Sequence, residues 1–105
     1  MKSLKEILGA ELSENSSFHG LEVIDFEDYL EATFFYGDIF SSKLLITVRD
    51  NGYISCQDTE LRLESDVAKS KIFLIKLLNK IACIIEDDDL AKNFYLALKQ
   101  EALNE

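Results

Sequence analysis

Few residue types outside the carboxylates of this 105-residue chain are suited to catalysis. His19 is the single histidine, and Cys56 and Cys83 are the two cysteines. A Ser-His-Asp site needs an exposed nucleophile beside the histidine, and no serine here stands in the sharp turn that exposes one. The positions of the cysteines and the histidine in the sequence allow a catalytic Cys-His pair. Both cysteines, however, fall in apolar stretches, where we expect buried and unreactive thiols in a reducing compartment.

The spacing of possible ligands does not favour a metal or phosphate site. The three Cys and His residues include no close pair of the kind that structural zinc sites use, and no two glycines form a phosphate loop. The acidic run from Glu86 to Asp89 lacks the alternating oxygens and the glycine of an EF-hand. We interpret this run as the start of a helix with Asp88 as N-cap, because negative charge there is stabilising. The alternative roles of this acidic run are a weak divalent-cation site and a contact with a partner. For the chain as a whole we predict no catalytic residue, metal or cofactor.

The charge of the chain is unevenly distributed. The net charge is −9, and residues 21–64 hold ten acids against three bases, a net charge of −7. Such a field repels nucleic acid and anionic membranes and attracts basic proteins, although solubility alone also explains it. The sequence contains no apolar run long enough to cross a bilayer and no leader-like start, so we expect a cytoplasmic protein.

The elements that position these residues follow from the apolar pattern. Ser3 and Glu6 form a capping box before one short helix, whose apolar face reaches Leu12. Alternation over residues 21–64 then predicts about four antiparallel strands, with a bulge near residue 24 and a second bulge or break near residues 58–59. Asn51-Gly52 predicts a tight hairpin with positive φ at both residues.

Two helices are expected after the strands. Ser65 is the expected N-cap of the first, and residues 72–85 are apolar on almost every side, so this helix should lie across the sheet between the flanking helices or against a second subunit. The last helix should run from about residue 90 to 102. Residues 1–105 are therefore predicted to form a single α+β domain: a short N-terminal helix, an antiparallel meander, and two C-terminal helices packed on one face of the sheet.

Acidic and aromatic side chains of the strand region are the candidate binding residues. The carboxylates of the strand region have three alternative roles: a solvated face of the sheet, a patch that contacts a partner, or an acid–base pair. The strand alternation places the side chains of Tyr29, Phe35 and Tyr53 either outward among the acids or under a helix. Exposed aromatic side chains among carboxylates are typical of a protein interface. The predicted partner-binding residues are Glu22, Glu27, Asp28, Tyr29, Glu31 and Tyr53.

These observations favour a protein-binding domain over an enzyme. The leading hypothesis is an immunity or antitoxin-type inhibitor that occludes the active surface of a basic partner, such as a nuclease toxin. A mimic of DNA aimed at a DNA-binding protein follows from the same reasoning. A small hydrolase built on His19 or an acid cluster is the third hypothesis. No contact with nucleic acid or membrane is expected, and the chain is predicted to be a monomer or a homodimer.

A short N-terminal amphipathic helix followed by strands, in a small acidic chain, resembles the layout of type III secretion chaperones. This chain departs from that layout because it lacks a helix among the strands and ends in two successive helices. The resemblance implies a second hypothesis, a dimeric protein that binds an exported effector. The widely apolar helix over residues 72–85 would then be the dimer face.

Overall fold

The computed structural model describes residues 3–37, 42–58 and 67–103. The described elements confirm the predicted α+β fold, with a helical N-terminus, a four-stranded antiparallel sheet and two C-terminal helices on one of its faces. The elements are α1 (Leu4–Leu8), α2 (Ala10–Ser13), β1 (Phe18–Asp25), β2 (Tyr29–Tyr36), β3 (Ser42–Arg49), β4 (Ile54–Asp58), α3 (Val67–Ile85) and α4 (Asp88–Leu103).

The N-terminal segment contains two short helices where the sequence predicts one. The Ser3 Oγ accepts a hydrogen bond from the Glu6 backbone N–H at 3.2 Å, which confirms the predicted N-cap. The helix then breaks at Gly9, whose φ of 93° is outside the helical region and is readily adopted only by glycine. Ile7, Leu8 and Leu12 are all buried, so the apolar face continues across the break.

The sheet is a simple meander with strand order β1-β2-β3-β4. The pairing of β1 with β2 is regular from Gly20 to Asp25, and its irregularity lies between Phe18 and Gly20. The bulge predicted near residue 24 is therefore wrong. Without a bulge, Val23 faces the core while Ile24 and the following Phe26 stay on the opposite face, where both are exposed.

The β3–β4 connection is a hairpin, but it is longer than the tight turn predicted from Asn51-Gly52. The Arg49 N–H donates to the Tyr53 carbonyl at 2.9 Å, and the Gly52 N–H donates to the Arg49 carbonyl at 3.0 Å. Only Gly52 has a positive φ, of 91°. The loop thus spans the three residues 50–52. Three-residue hairpin loops of this kind contain one residue with a left-handed backbone, which is Gly52 here. Asn51 contributes through its Oδ1, which accepts from the Tyr53 N–H at 3.0 Å.

The hydrophobic core lies between one face of the sheet and the helices. Alternate residues of β2 and β3, from Leu30 to Tyr36 and from Leu44 to Val48, are fully buried. The α4 backbone runs closest to β1 and β2, and α3 runs beside α4. Both C-terminal helices pack on the same face of the sheet, as predicted. Helix α3 reaches the sheet at Phe73, whose ring stacks on Phe18 at 5.9 Å between centroids.

The acidic run between the two C-terminal helices caps α4, as its position predicts. The cap is Asp87, one residue before the predicted Asp88: its Oδ1 accepts from the backbone N–H groups of Asp89 and Leu90, each at 3.1 Å. Asp88 and Asp89 occupy the first turn of α4. Negative charge in that turn stabilises the helix by about 0.3–1 kcal/mol for each well-placed group.

Both cysteines are exposed, which contradicts the prediction of buried thiols. Cys56 lies opposite Ile46 on the helix side of β4, which is an edge strand of the sheet. Cys83 belongs to α3 and lies off the buried stripe that contains Phe73, Leu77, Ile81 and Ile84.

Two sequence predictions fall outside the described residues: the N-cap at Ser65 and the far side of the break near residues 58–59. Within the described ranges, none of the helices has the length and apolar character that a membrane span requires.

Candidate functional site

The sheet has one face that the described helices leave uncovered. In β2 and β3 the residues between the buried positions point to this side and are half-buried or exposed. We call this surface the open face. It consists of Glu22, Ile24, Phe26, Tyr29, Glu31, Thr33, Phe35, Lys43, Leu45, Thr47, Arg49, Tyr53 and Ser55.

An aromatic row crosses the end of the open face where the β1–β2 and β3–β4 turns lie side by side. Register places Phe26, Tyr29, Arg49 and Tyr53 across the four strands at this end, and we call these four residues the end row. The rings of Phe26 and Tyr29 are stacked with centroids 5.0 Å apart, and the Arg49 guanidinium lies 5.7 Å from the Tyr29 ring centroid. Phe26 is 44% exposed and Tyr53 is 58% exposed. The end row is therefore an ordered apolar surface in contact with solvent.

The β1–β2 turn beside the end row holds a strained backbone. The Asp28 N–H donates to the Phe26 carbonyl at 2.9 Å, which closes a three-residue turn around Glu27. Glu27 has φ of 73° and is the one described non-glycine residue with a positive φ. Turns of this kind are rare because an L-residue is unfavourable there. The Asp25 Oδ1 accepts from the Glu27 N–H at 2.9 Å and helps to hold the conformation. Such strain is found more often at binding sites than elsewhere.

Carboxylates surround the end row on both turns. Asp25 is the last residue of β1, Glu27 and Asp28 lie on the β1–β2 turn, and Asp50 lies on the β3–β4 turn; all four are exposed. Arg49 is the only base between residues 25 and 31 or 49 and 53, so this end carries a local excess of negative charge. Exposed carboxylates around ordered aromatic rings make a surface complementary to a cationic, partly apolar ligand.

All six residues predicted to bind a partner lie on the open face or its turns. Glu27, Asp28, Tyr29 and Tyr53 gather at the end row. Glu31 lies one row further in, opposite Ile24 and Thr47, and Glu22 lies opposite Thr33 beyond it. The structure thus brings four of the six together and places the other two along the same face.

Sequence reasoning missed two members of the end row, Phe26 and Arg49. The bulge predicted near residue 24 would turn Phe26 toward the core, and the structure does not contain that bulge. The apolar pattern gives no signal for the regular strand, because it changes parity between Val23 and Ile24. Only the register shows that Ile24 and Phe26 lie on the side opposite Val23. Arg49 had no signal either, because a cation that lies over an aromatic ring is recognised only once the strand register is known.

His19 is at the other end of the sheet. It lies at the irregularity near the start of β1, and its Nε2 donates a hydrogen bond to the Gly37 carbonyl, which ties the start of β1 to the end of β2. Among the described residues, no group of three or more His, Cys, Asp and Glu side chains is placed to hold a metal ion.

Comparison with family models, with curated proteins and with solved structures finds no match for this chain.

Proposed function

We propose that this chain is a small acidic protein-binding domain of the immunity or antitoxin type, which neutralises a basic partner such as a nuclease toxin by occluding its active surface. One observation carries the proposal: four of the six predicted residues, Glu27, Asp28, Tyr29 and Tyr53, lie together at the end row, on the face that the helices leave open. The proposed contact residues are the end row with Glu27 and Asp28, extended along the face by Glu31 and Glu22.

The negative charge of the chain favours the capture of a basic partner. A nuclease is basic where it holds phosphates, and a surface of opposite sign speeds the encounter with it. The chain carries a net charge of −9, and residues 21–64 account for −7 of it. Exposed carboxylates on the two turns can pair with partner lysines and arginines at the rim of the contact.

The aromatic side chains of the end row favour affinity for the partner. A few buried aromatic and arginine side chains carry most of the binding energy at protein interfaces, each contributing about 2 kcal/mol or more. Phe26 and Tyr53 offer exposed rings, while Tyr29 and Arg49 are already fixed by stacking. A surface that is ordered before binding loses less conformational entropy when the partner docks.

A dimeric chaperone for an exported protein is the second candidate. Exposed apolar side chains on α3, including Ile72 and Ile75, favour it, because a chaperone of this type needs a dimer face. The two candidates differ in the character of partner binding. Contacts made by the acidic end row should weaken strongly as salt rises, whereas contacts made by a chaperone's apolar surface should persist.

Capture from the native host's lysate at low salt, followed by elution with rising salt, tests the proposal. The chain should retain one basic protein, whose toxic or nuclease activity is abolished at one-to-one stoichiometry. The variant Glu27→Gln/Asp28→Asn should lose most of this capture, because it removes two exposed carboxylates beside the end row.

The matched control is Glu14→Gln/Glu101→Gln, which removes the same charge from exposed residues of the helical layer. Glu14 pairs with Lys5 at 3.3 Å, but both side chains are more than half exposed and such pairs contribute little to stability. Capture should survive in this control. A retained protein that both variants release equally, or a column that retains no basic protein, would reject the inhibitor proposal.

A further inference from the structure

A cavity of about 220 Å³ lies between the N-terminal helices, the helix-covered face of the sheet and α3. Apolar side chains from all three form its wall, among them Leu4, Leu12, Leu21, Phe34, Phe73 and Leu77. Leu21 pairs with Phe34 across β1 and β2, so both side chains point toward the helical layer. Phe34, Phe73 and Leu77 are each 1% exposed. We call this space the N-terminal cavity.

The N-terminal cavity opens to solvent between α1 and the edge strand β1. Leu4 on α1 and Leu21 on β1 are half-buried, and two further lining residues, Lys5 and Glu101, are exposed. These four residues therefore surround the opening. A molecule that enters there reaches the buried wall that contains Phe73.

The side chains that line the N-terminal cavity are apolar except at its opening. Among the described lining residues, Lys5 and Glu101 are the two with polar side chains, and they carry opposite charges. The Lys5 ammonium already lies 3.3 Å from the Glu14 carboxylate. A polar group that enters the cavity would lose its hydrogen bonds to water, and the buried part of the lining has no polar side chain to replace them.

We propose that the N-terminal cavity is a binding site for a small uncharged apolar molecule, no larger than one aromatic ring with a short alkyl substituent. The volume sets this size, because a cavity of about 150 Å³ lined by Leu, Ile and Phe takes up benzene. The leucine and phenylalanine side chains here provide the same kind of lining around about 220 Å³. The rings of Phe34 and Phe73 can pack edge-to-face or offset against a ligand ring.

A charged group on the ligand would gain little at the rim of the cavity. A carboxylate would meet a lysine that is already paired, on a chain with a net charge of −9. An ammonium group would meet the exposed Glu101, where water screens the attraction. Binding at this site does not depend on the open face, because the cavity lies on the opposite side of the sheet.

Toluene is the probe, and NMR of the methyl groups of the full chain reports its binding. We expect saturable shifts of the methyl signals of Leu12 and Leu77, which line the cavity. The methyl signals of Leu96 and Leu103, which are exposed on α4, should stay unchanged. Toluene at ten times its dissociation constant should also raise the Tm by about 5 °C or more, since only the folded chain contains the site.

Variants that fill the cavity from two different elements separate loss of binding from loss of folding. Leu4→Trp on α1 and Leu21→Phe on β1 each enlarge a half-buried lining side chain, and each should weaken toluene binding at least tenfold. The matched control Leu96→Trp makes the same change at an exposed position of α4 and should bind toluene like wild type. Circular dichroism verifies that each variant is folded.

Three results would overturn the proposal. The first is the absence of saturable shifts at the cavity methyl groups of the wild-type chain. The second is wild-type affinity for toluene in both filled variants. The third is binding of phenylacetate or phenethylamine at least tenfold tighter than that of toluene, which would mean that a charged group at the rim decides binding.

Discussion

Replacement of Glu27 by glycine should stabilise the fold, because the backbone of its turn is strained. Replacement of a residue by glycine normally destabilises a fold. Glu27, however, has φ of 73° within a three-residue turn, so Glu27→Gly should stabilise this chain. The hydrogen bond from the Glu27 N–H to the Asp25 Oδ1 uses only backbone atoms of residue 27 and is retained in the variant.

The magnitude follows from two opposing terms. An L-residue in the left-handed region costs about 1–2 kcal/mol, which glycine recovers. Glycine also raises the conformational entropy of the unfolded chain, which costs about 0.4–1 kcal/mol. The net gain is about 1 kcal/mol, equivalent to a rise in Tm of about 4–8 °C for a domain of about this size.

Thermal unfolding followed by circular dichroism measures this shift. Glu27→Gln is the first control, because it removes the charge and keeps the strain, and its Tm should stay within about 2 °C of wild type. Glu22→Gly is the second control, since Glu22 lies within β1 and has no positive φ, so glycine there should lower the Tm. A Tm for Glu27→Gly equal to or below that of wild type would refute the assignment of strain to this turn.

Three further predictions concern the rest of the fold. Phe73→Ala should reduce the free energy of unfolding by about 3–5 kcal/mol in urea denaturation, because Phe73 is fully buried against the rings of Phe18 and Tyr36. A loss under about 1 kcal/mol would mean that α3 does not dock on the sheet at this position. Gly52→Ala should lower stability by about 1 kcal/mol or more because φ at this residue is 91°, and an unchanged Tm would contradict the three-residue loop. Cys56 and Cys83 should both react with a thiol reagent in the native protein at rates near those in denaturant, because both are exposed. A much slower reaction of either thiol in the native protein would show that this thiol is buried.

The order and type of the elements could be predicted because each has a strong local signal. The alternation of β2 and β3 matches their register over the full length of both strands. The Ser3 cap and the acidic start of α4 follow from unpaired N–H groups at helix ends, which any short oxygen-bearing side chain nearby can satisfy.

How much of α3 is covered could not be predicted from the same signals. The apolar content of α3 predicted cover on most sides, yet Ile72, Ile75 and Ile85 are exposed. The extent of cover depends on how the side chains of a helix fit the neighbouring elements, which the pattern of the helix itself does not contain. Cys83 is exposed on the same helix.

The candidate site was predicted in its composition but not in its geometry. The acids and tyrosines could be named because charge and parity are properties of the sequence. The stacking of Phe26 on Tyr29 and the position of Arg49 depend on long-range register, which a single assumed bulge near residue 24 reversed for Phe26.

The most direct test of the central claim is the affinity of the captured basic partner for the chain when the end row loses its exposed rings. Isothermal titration should show a fall of at least 100-fold for Phe26→Ala/Tyr53→Ala, because two interface hot spots are removed. The control Leu96→Ala/Leu103→Ala removes two side chains of α4 that are 47% and 72% exposed, and its affinity should equal that of wild type. Wild-type affinity in the end-row variant, or an equal loss in both variants, would contradict the proposed binding surface.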